Sequence, residues 1–140
     1  MNFIFSLSRR VNPLWPLRLG LGLMYMYSGY HLFYFPSSWT WAIPRWLIPA
    51  ITSAVSLETF VRAEGIVEFA VALLLLAWFS GAWGVRIAAL FSTLQMAAIL
   101  LLTGIDLITF RDIGVIGGSA ALVILSFRGG DVTTTTGDKF

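Results

Sequence analysis

Four long apolar segments account for most of this 140-residue sequence. Each has roughly the 20 residues that an α-helix needs to cross the hydrocarbon core of a bilayer. Apolar residues make up 58% of the chain and charged residues only 11%, whereas soluble domains are about 25% charged. The mean hydropathy is +0.84. A soluble fold of this length could not bury so much apolar surface, so the sequence predicts an all-α integral membrane protein.

Short connections set the expected topology of these segments. The predicted helices cover about residues 14–35, 60–79, 85–105 and 112–127. The sequence SGAWG joins the second helix to the third, and DLITF joins the third to the fourth. Connections this short make consecutive helices antiparallel neighbours, so we expect an up-down four-helix bundle within residues 1–128. The polar residues 129–140, rich in Gly and Thr, are predicted to be a flexible tail.

A loop rich in Trp and Pro separates the first two predicted helices. Its three prolines argue against one continuous helix. Trp39, Trp41 and Trp46 are of the residue type that favours the headgroup level of a membrane. We therefore expect an interfacial cap over one end of the bundle.

The distribution of Lys and Arg predicts the orientation, because cytoplasmic loops carry an excess of these residues. With a cytoplasmic N-terminus, that side would hold Arg9, Arg10, Arg18, Arg86, Arg128 and Lys139. The opposite side would hold Arg45, Arg62 and Arg111. Six against three favours a protein of the cytoplasmic (inner) membrane with both termini in the cytoplasm.

Several functional classes are excluded by composition. The sequence has no cysteine, so the chain itself has no disulfide, thiolate metal site or Fe–S ligand. His31 is the only histidine, which excludes a haem held between two histidines of one chain. The net charge of +2 is small and no basic run is present, so nucleic acid is not an expected partner. We expect no metal site and no covalent cofactor.

The second predicted helix, FVRAEGIVEFAVALLLLAWF, carries charges where lipid should be. Glu64 and Glu68 are four apart and therefore lie on one face. At 1.5 Å per residue, Glu68 lies about 12 Å along the helix from Phe60. A lone carboxylate facing lipid at that depth would cost at least a few kcal/mol. We expect Glu68 to face the other helices and to have a partner, whereas Leu74 and Leu75 have more freedom to meet lipid.

The topology predicts partners for these acids in the outer half of the bundle. Only about 15 apolar residues, roughly 22 Å of helix, follow Asp112, so the fourth helix must draw Arg111 down to the membrane boundary. We expect Arg111 to pair with Glu64 or Glu68, because Arg is permanently charged. The predicted polar pocket comprises His31, Glu64, Glu68, Gln95, Arg111 and Asp112.

Two interpretations of this pocket stay open: a ligand or proton-handling site, and a network of ion pairs that only fixes helix packing. Asp112 also has a simpler role as an N-cap or a partner of the helix dipole. Gly114 and Gly118, in GVIGG, form a small-residue surface that favours packing within the bundle over dimerisation. Tyr27, Tyr30 and Tyr34 belong to an aromatic cluster that either packs at the interface or stacks on a flat ring such as a quinone.

Three stretches resemble the DoxX-like family of small membrane proteins. They are RLGLGLMYMYSGYHLF, AEGIVEFAVALLLLAWFSGAWGVRIAAL and FRDIGVIGGSAALVIL. The resemblance implies a four-helix membrane protein. The family includes subunits associated with thiosulfate:quinone oxidoreduction and partners of membrane-linked thiol and oxidative-stress systems, and it is related to proteins that escort others. Glu68, Arg111 and Asp112 match its recurring polar positions, but no catalytic motif can be transferred.

The sequence thus supports two leading hypotheses. The first is a redox-linked membrane subunit that binds a quinone or small sulfur species in the outer pocket, with Glu68 or His31 carrying protons. Any electron carrier would then be diffusible or belong to a redox partner protein. The second is a non-enzymatic scaffold, assembly or escort protein whose intramembrane charges are structural. Transport is less supported because no broken-helix repeat is visible. Enzymatic activity and a homo-oligomeric state stay open.

Overall fold

The structure is a computed structural model that describes residue 12 and residues 14–104 and 109–131, with the backbone alone at 111 and 128–131. The described part of the chain is all-α and contains no strand. Its α-helices are α1 (Leu14–Tyr34), α2 (Ile48–Thr52), α3 (Leu57–Leu76), α4 (Gly81–Thr103) and α5 (Phe110–Asp131). Two short 3₁₀ turns, Pro36–Ser38 and Thr40–Ala42, lie between α1 and α2.

Local capping explains where the long helices differ from their predicted bounds. α3 begins earlier than predicted because the hydroxyl of Ser56 accepts a hydrogen bond from the backbone N–H of Thr59 at 3.1 Å, an N-cap. α4 ends at Thr103 and is followed by Gly104, whose φ of 81° is readily adopted only by glycine. α5 continues to Asp131, so the predicted tail is wrong at its first residues; residues 132–140 lie outside the described part.

The four long helices form an antiparallel up-down bundle. α1 and α3 pack most closely, with Gly29 against Gly65. α4 and α5 form the second close pair, joined by a hydrogen bond from the Thr93 hydroxyl to the Ser119 hydroxyl at 2.9 Å. Looser contacts join α3 to α4 and α1 to α5 and close the bundle. The buried core residues are Leu21, Tyr25, Val71, Ala72, Leu75, Val85, Ala88, Ala89, Met96 and Leu122.

The closeness of α1 and α3 depends on glycine. A side chain on Gly65 would place its Cβ 2.9 Å from the carbonyl oxygen of Gly29 and 2.9 Å from the backbone nitrogen of Phe33. One end of the same interface has Gly22, where an added Cβ would lie 2.6 Å from Leu76 and 3.4 Å from Leu75. Leu75 is completely buried where α1 and α3 come this close, so the expectation that Leu75 is free to meet lipid is wrong.

The Trp- and Pro-rich loop folds against the neighbouring ends of α1 and α3. Pro36 and Ile51 are its buried residues, whereas Trp41 and Trp46 are exposed. The predicted break in helical structure is confirmed: two 3₁₀ turns and the short α2 replace a continuous helix.

Among the described residues, α4 is the one helix that is long and apolar enough by itself to cross a membrane. Residues 112–127 of α5 form a shorter apolar helical stretch. The apolar sequence of α3 is interrupted by the charged residues Arg62, Glu64 and Glu68. By length and composition, α4 is therefore the one candidate membrane span among the described helices. Whether the other long helices can also span a membrane depends on the direction of their polar side chains.

We predict that Gly65→Ala destabilises the protein by about 1–3 kcal/mol, because the new methyl group meets backbone atoms that cannot rotate away. The matched control is Gly117→Ala on α5, where an added Cβ meets nothing within 4 Å. That control should be neutral or stabilising by up to about 1 kcal/mol, since Ala favours helix more than Gly. Helix content followed during unfolding in a denaturing detergent measures both. Equal effects of the two changes would contradict the glycine contact.

Candidate functional site

Polar side chains from all four long helices meet near the middle of the bundle. The hydroxyl of Tyr25 lies 2.7 Å from that of Ser92, which joins α1 to α4 inside the core. Ser92 and Ser119 are completely buried, and Tyr25 is among the largest fully buried side chains. These hydroxyls were not identified from the sequence; a run of Ser and Thr within apolar helices was the available signal. We call this region the polar layer: Tyr25, Ser28, Glu64, Glu68, Ser92, Thr93, Gln95 and Ser119.

Glu68 is the most constrained member of the polar layer. Its side chain is only 4% exposed, which confirms that it faces the other helices. The Ser28 side chain on α1 lies near the carboxyl. Among the described residues, however, its Oε2 has no hydrogen-bond partner.

Glu64 lies one turn from Glu68 and is half-buried. The Nε2 of Gln95 donates a hydrogen bond to Oε1 of Glu64 at 2.8 Å, which links α3 to α4. The other atom of the same amide, Oε1 of Gln95, is buried and unpartnered among the described residues. The structure therefore brings Glu64 and Gln95 of the predicted pocket together, with Glu68 on the adjacent turn.

The remaining charged residues of the predicted pocket lie at the start of α5. Asp112 is in the first turn of α5, where a carboxylate favours the helix dipole, and not at its N-cap. Its side chain is half-buried. The side chain of Arg111 lies outside the described structure, so its pairing with Glu64 or Glu68 stays a prediction.

His31 lies among aromatic rings. Its ring centroid is 5.0 Å from that of Tyr27 and 5.3 Å from that of Phe35. Tyr30 and Tyr34 continue the series, 4.8 Å apart. We call this group the aromatic ladder: Tyr27, Tyr30, His31, Tyr34 and Phe35.

The aromatic ladder lies away from the polar layer. The inward side of α1 carries the buried Tyr25, Gly29 and Leu32, whereas the tyrosines of the ladder are between 45% and 67% exposed. No hydrogen bond or ring contact within the described part of the chain joins His31 to the glutamates or to Gln95. Among the predicted pocket residues whose side chains the structure describes, His31 is therefore separated from Glu64, Glu68 and Gln95, since helical periodicity turns it away from the inward face.

Two arginines have structural partners that sequence reasoning missed. Arg18 donates from Nε to the carbonyl of Leu75 at 2.8 Å and from Nη2 to that of Ala77 at 2.7 Å. Arg86 donates from Nη2 to the carbonyl of Ser126 at 2.9 Å. The carbonyls of Leu75 and Ala77 lie at the C-terminus of α3, where intrahelical donors run out and the dipole favours cations. The sequence analysis used these two residues only to predict orientation. An available signal was a tryptophan three residues before each arginine: Trp15 stacks on Arg18, and Trp83 stacks on Arg86.

A groove of about 320 Å³ lies between α1 and α5, on the other side of the bundle from the α3–α4 interface. It is lined by Pro16, Leu17, Gly20, Leu21, Met24, Gly114, Val115 and Gly118. A Cβ on Gly118 would touch Leu21 at 3.9 Å, but one on Gly114 would meet nothing. The expectation that this glycine pair packs within the bundle therefore holds for Gly118 and is wrong for Gly114.

The comparisons with known proteins add no relative. No protein-family model matches the chain, and no curated protein or solved structure matches it. Within the described residues, no group of three or more His, Asp and Glu side chains is arranged to hold a metal ion. The chemical content of the site is thus a buried carboxyl, an amide, several hydroxyls and, separately, a set of exposed rings.

Proposed function

We propose that this chain is an integral membrane protein with four spanning helices and that it serves as a DoxX-like, redox-linked membrane subunit that binds a quinone. The observation that carries the redox part is the aromatic ladder, a set of exposed rings around the sole histidine on the outside of α1. The membrane part is supported by the distribution of apolar and polar side chains over the whole bundle.

The bundle exposes large apolar side chains and buries several polar ones. Soluble monomers rarely expose large continuous apolar patches. Here each long helix exposes large aliphatic side chains: Leu19 and Leu23 on α1, Ile66 and Leu73 on α3, Ile87, Leu90 and Leu94 on α4, and Ile113 and Ile124 on α5. The interior meanwhile holds Glu68, Ser92 and Ser119. This arrangement suits lipid as the surrounding solvent.

The charges of α3 are compatible with a spanning helix. Glu68 is buried, and Glu64 is bonded to Gln95, so neither requires solvation by lipid. Arg62 is exposed and lies near the start of α3, from where its long side chain can reach the headgroups. Exposed aromatic residues mark both ends of the bundle, as in membrane proteins: Trp78, Phe79 and Trp83 at one end, and Tyr34, Trp41 and Trp46 at the other.

Within this proposal the protein resides in the cytoplasmic membrane with both termini in the cytoplasm, following the six-to-three distribution of Lys and Arg. We predict that a topology reporter fused after Ser38 reports the outer side and that one fused after Phe140 reports the cytoplasm. A report of the same side from both fusions would contradict four crossings.

A quinone ring fits the chemistry of the aromatic ladder. Flat rings stack on aromatic side chains, and the His31 imidazole and the tyrosine hydroxyls include donors for a quinone carbonyl. In the proposed orientation the ladder lies in the outer half of the bilayer and faces the lipid phase, where quinones diffuse. The chain has no cysteine and one histidine, so electrons would pass between the quinone and a partner protein.

The second candidate is a scaffold, assembly or escort protein whose charges are structural. The contacts of Arg18 and Arg86 favour it, because both side chains bond backbone carbonyls of another part of the bundle and so stabilise helix packing. Under this candidate the exposed aromatic residues would dock another protein.

We predict that the protein extracted in mild detergent retains quinone and that Tyr27→Ala combined with His31→Ala weakens quinone binding about tenfold. The loss corresponds to one ring contact and one hydrogen bond. Quinone bound per protein in the lipid extract and a titration of the purified protein with a short-chain quinone measure the effect.

The matched control is Leu23→Ala, which truncates an exposed side chain one turn below Tyr27 on α1 without touching a ring. It should bind quinone as the unaltered protein does. A purified protein that binds no quinone, or a loss equally large in Leu23→Ala, would contradict the redox proposal and favour the scaffold.

A further inference from the structure

The groove between α1 and α5 and the aromatic ladder lie on one line along α1. Gly20 and Met24 line the groove, and Tyr27 and His31 belong to the ladder. These residues follow one another at steps of four, three and four positions, which keeps them on one side of a helix. The groove therefore leads to the ladder along the surface of α1.

The step from the groove to the ladder is short. Residues three apart on a helix have Cβ atoms about 5–6 Å apart, so Met24, the last residue of α1 that lines the groove, neighbours Tyr27. His31 follows after one more turn, about 6 Å further along the helix axis. The Tyr27 side chain is 67% exposed, and the His31 ring packs against it. A molecule that lies in the groove can thus extend onto both rings.

The groove is lined by apolar residues and is open because glycines stand on both of its walls. An added Cβ on Gly20 of α1 or on Gly114 of α5 would meet nothing within 4 Å. The volume of about 320 Å³ lies at the lower end of the range of small-molecule sites. Over the length from Pro16 to Met24, about two turns, an α-helix displaces on the order of 1,000 Å³. A hydrocarbon chain therefore fits the groove more closely than a helix of a second copy does.

A flat ring joined to a hydrocarbon tail matches the ladder and the groove together. We propose that the groove binds the first part of the prenyl tail of a quinone whose ring stacks on Tyr27 and His31, so that the ligand class is a prenylquinone. Lipid chains are as apolar as the groove, so burial alone gives the tail little affinity. The affinity comes from packing contacts and from the tail holding the ring close to the ladder. This inference rests on the proposed quinone binding and adds the part of the ligand that the ladder does not hold.

Filling the groove separates the binding of the tail from that of the ring. Gly114→Leu places a side chain in the groove. The matched control is Gly117→Leu on the same helix, where an added Cβ also meets nothing within 4 Å but which does not line the groove. Both changes replace an exposed helical glycine by a better helix former, so both variants should fold. Each full-length protein, purified in the same mild detergent, is titrated with a dimethoxybenzoquinone that bears a geranyl tail and with the same ring without the tail.

We expect Gly114→Leu to weaken binding of the geranyl quinone about tenfold, as for the loss of about ten packing contacts of the tail. Binding of the tail-less ring should stay unchanged. Gly20→Leu, on the opposite wall of the groove, should give the same selective loss. Gly117→Leu should bind both ligands as the unaltered protein does.

Equal binding of the geranyl quinone by Gly114→Leu and Gly117→Leu would overturn the inference and leave the proposed function intact. A loss of both ligands in Gly114→Leu would overturn it too, because the change would then not act on the tail. An unaltered protein that binds neither ligand contradicts the proposed function itself. A dimer of the unaltered protein that becomes a monomer in Gly114→Leu, measured by light scattering, would assign the groove to a second copy instead.

Discussion

The burial of the Glu68 carboxyl is the constraint on which the rest of the bundle depends. A carboxyl at 4% exposure in an apolar surrounding must be supplied with polar neighbours. Gly29 and Gly65 bring α1 and α3 into backbone contact, which places Ser28 beside the carboxyl. Gln95 then holds the neighbouring Glu64 from α4. Glycine packing and the polar layer are therefore two parts of one arrangement.

The arginines and the acidic residues of the bundle lie at different positions and have different partners. Arg18 and Arg86 lie at the end of the bundle where α3 and α5 terminate, and each is bonded to backbone carbonyls. Their contacts tie the turn after α3 to α1 and the end of α5 to α4. The acids Glu64 and Glu68 lie deeper, away from these cations. Arginines bonded to backbone carbonyls and a separate pair of acids are consistent with both proposed functions.

The sequence predicted the long helices and their order because apolar length and short connections are local properties. It also predicted the inward direction of Glu68 from the cost of a carboxylate in lipid. It did not predict that Leu75 is buried or that His31 turns toward rings. The burial of Leu75 depends on the close approach of α1 to α3, which Gly22, Gly29 and Gly65 permit, whereas the ring contacts of His31 are all with residues within four positions of it. A resemblance carried by three stretches of sequence could not supply that packing.

The depth of all four long helices in lipid tests the central claim most directly. The chain has no cysteine, so a single spin label can be attached at Leu23, Ile66, Leu94 or Ile124, one exposed site on each helix. In lipid vesicles, we expect all four labels to be accessible to oxygen and shielded from a water-soluble nickel complex, unlike a label at Trp46. Shielding at Leu94 alone, with the other labels open to nickel, would show that α4 is the only spanning helix and contradict the account.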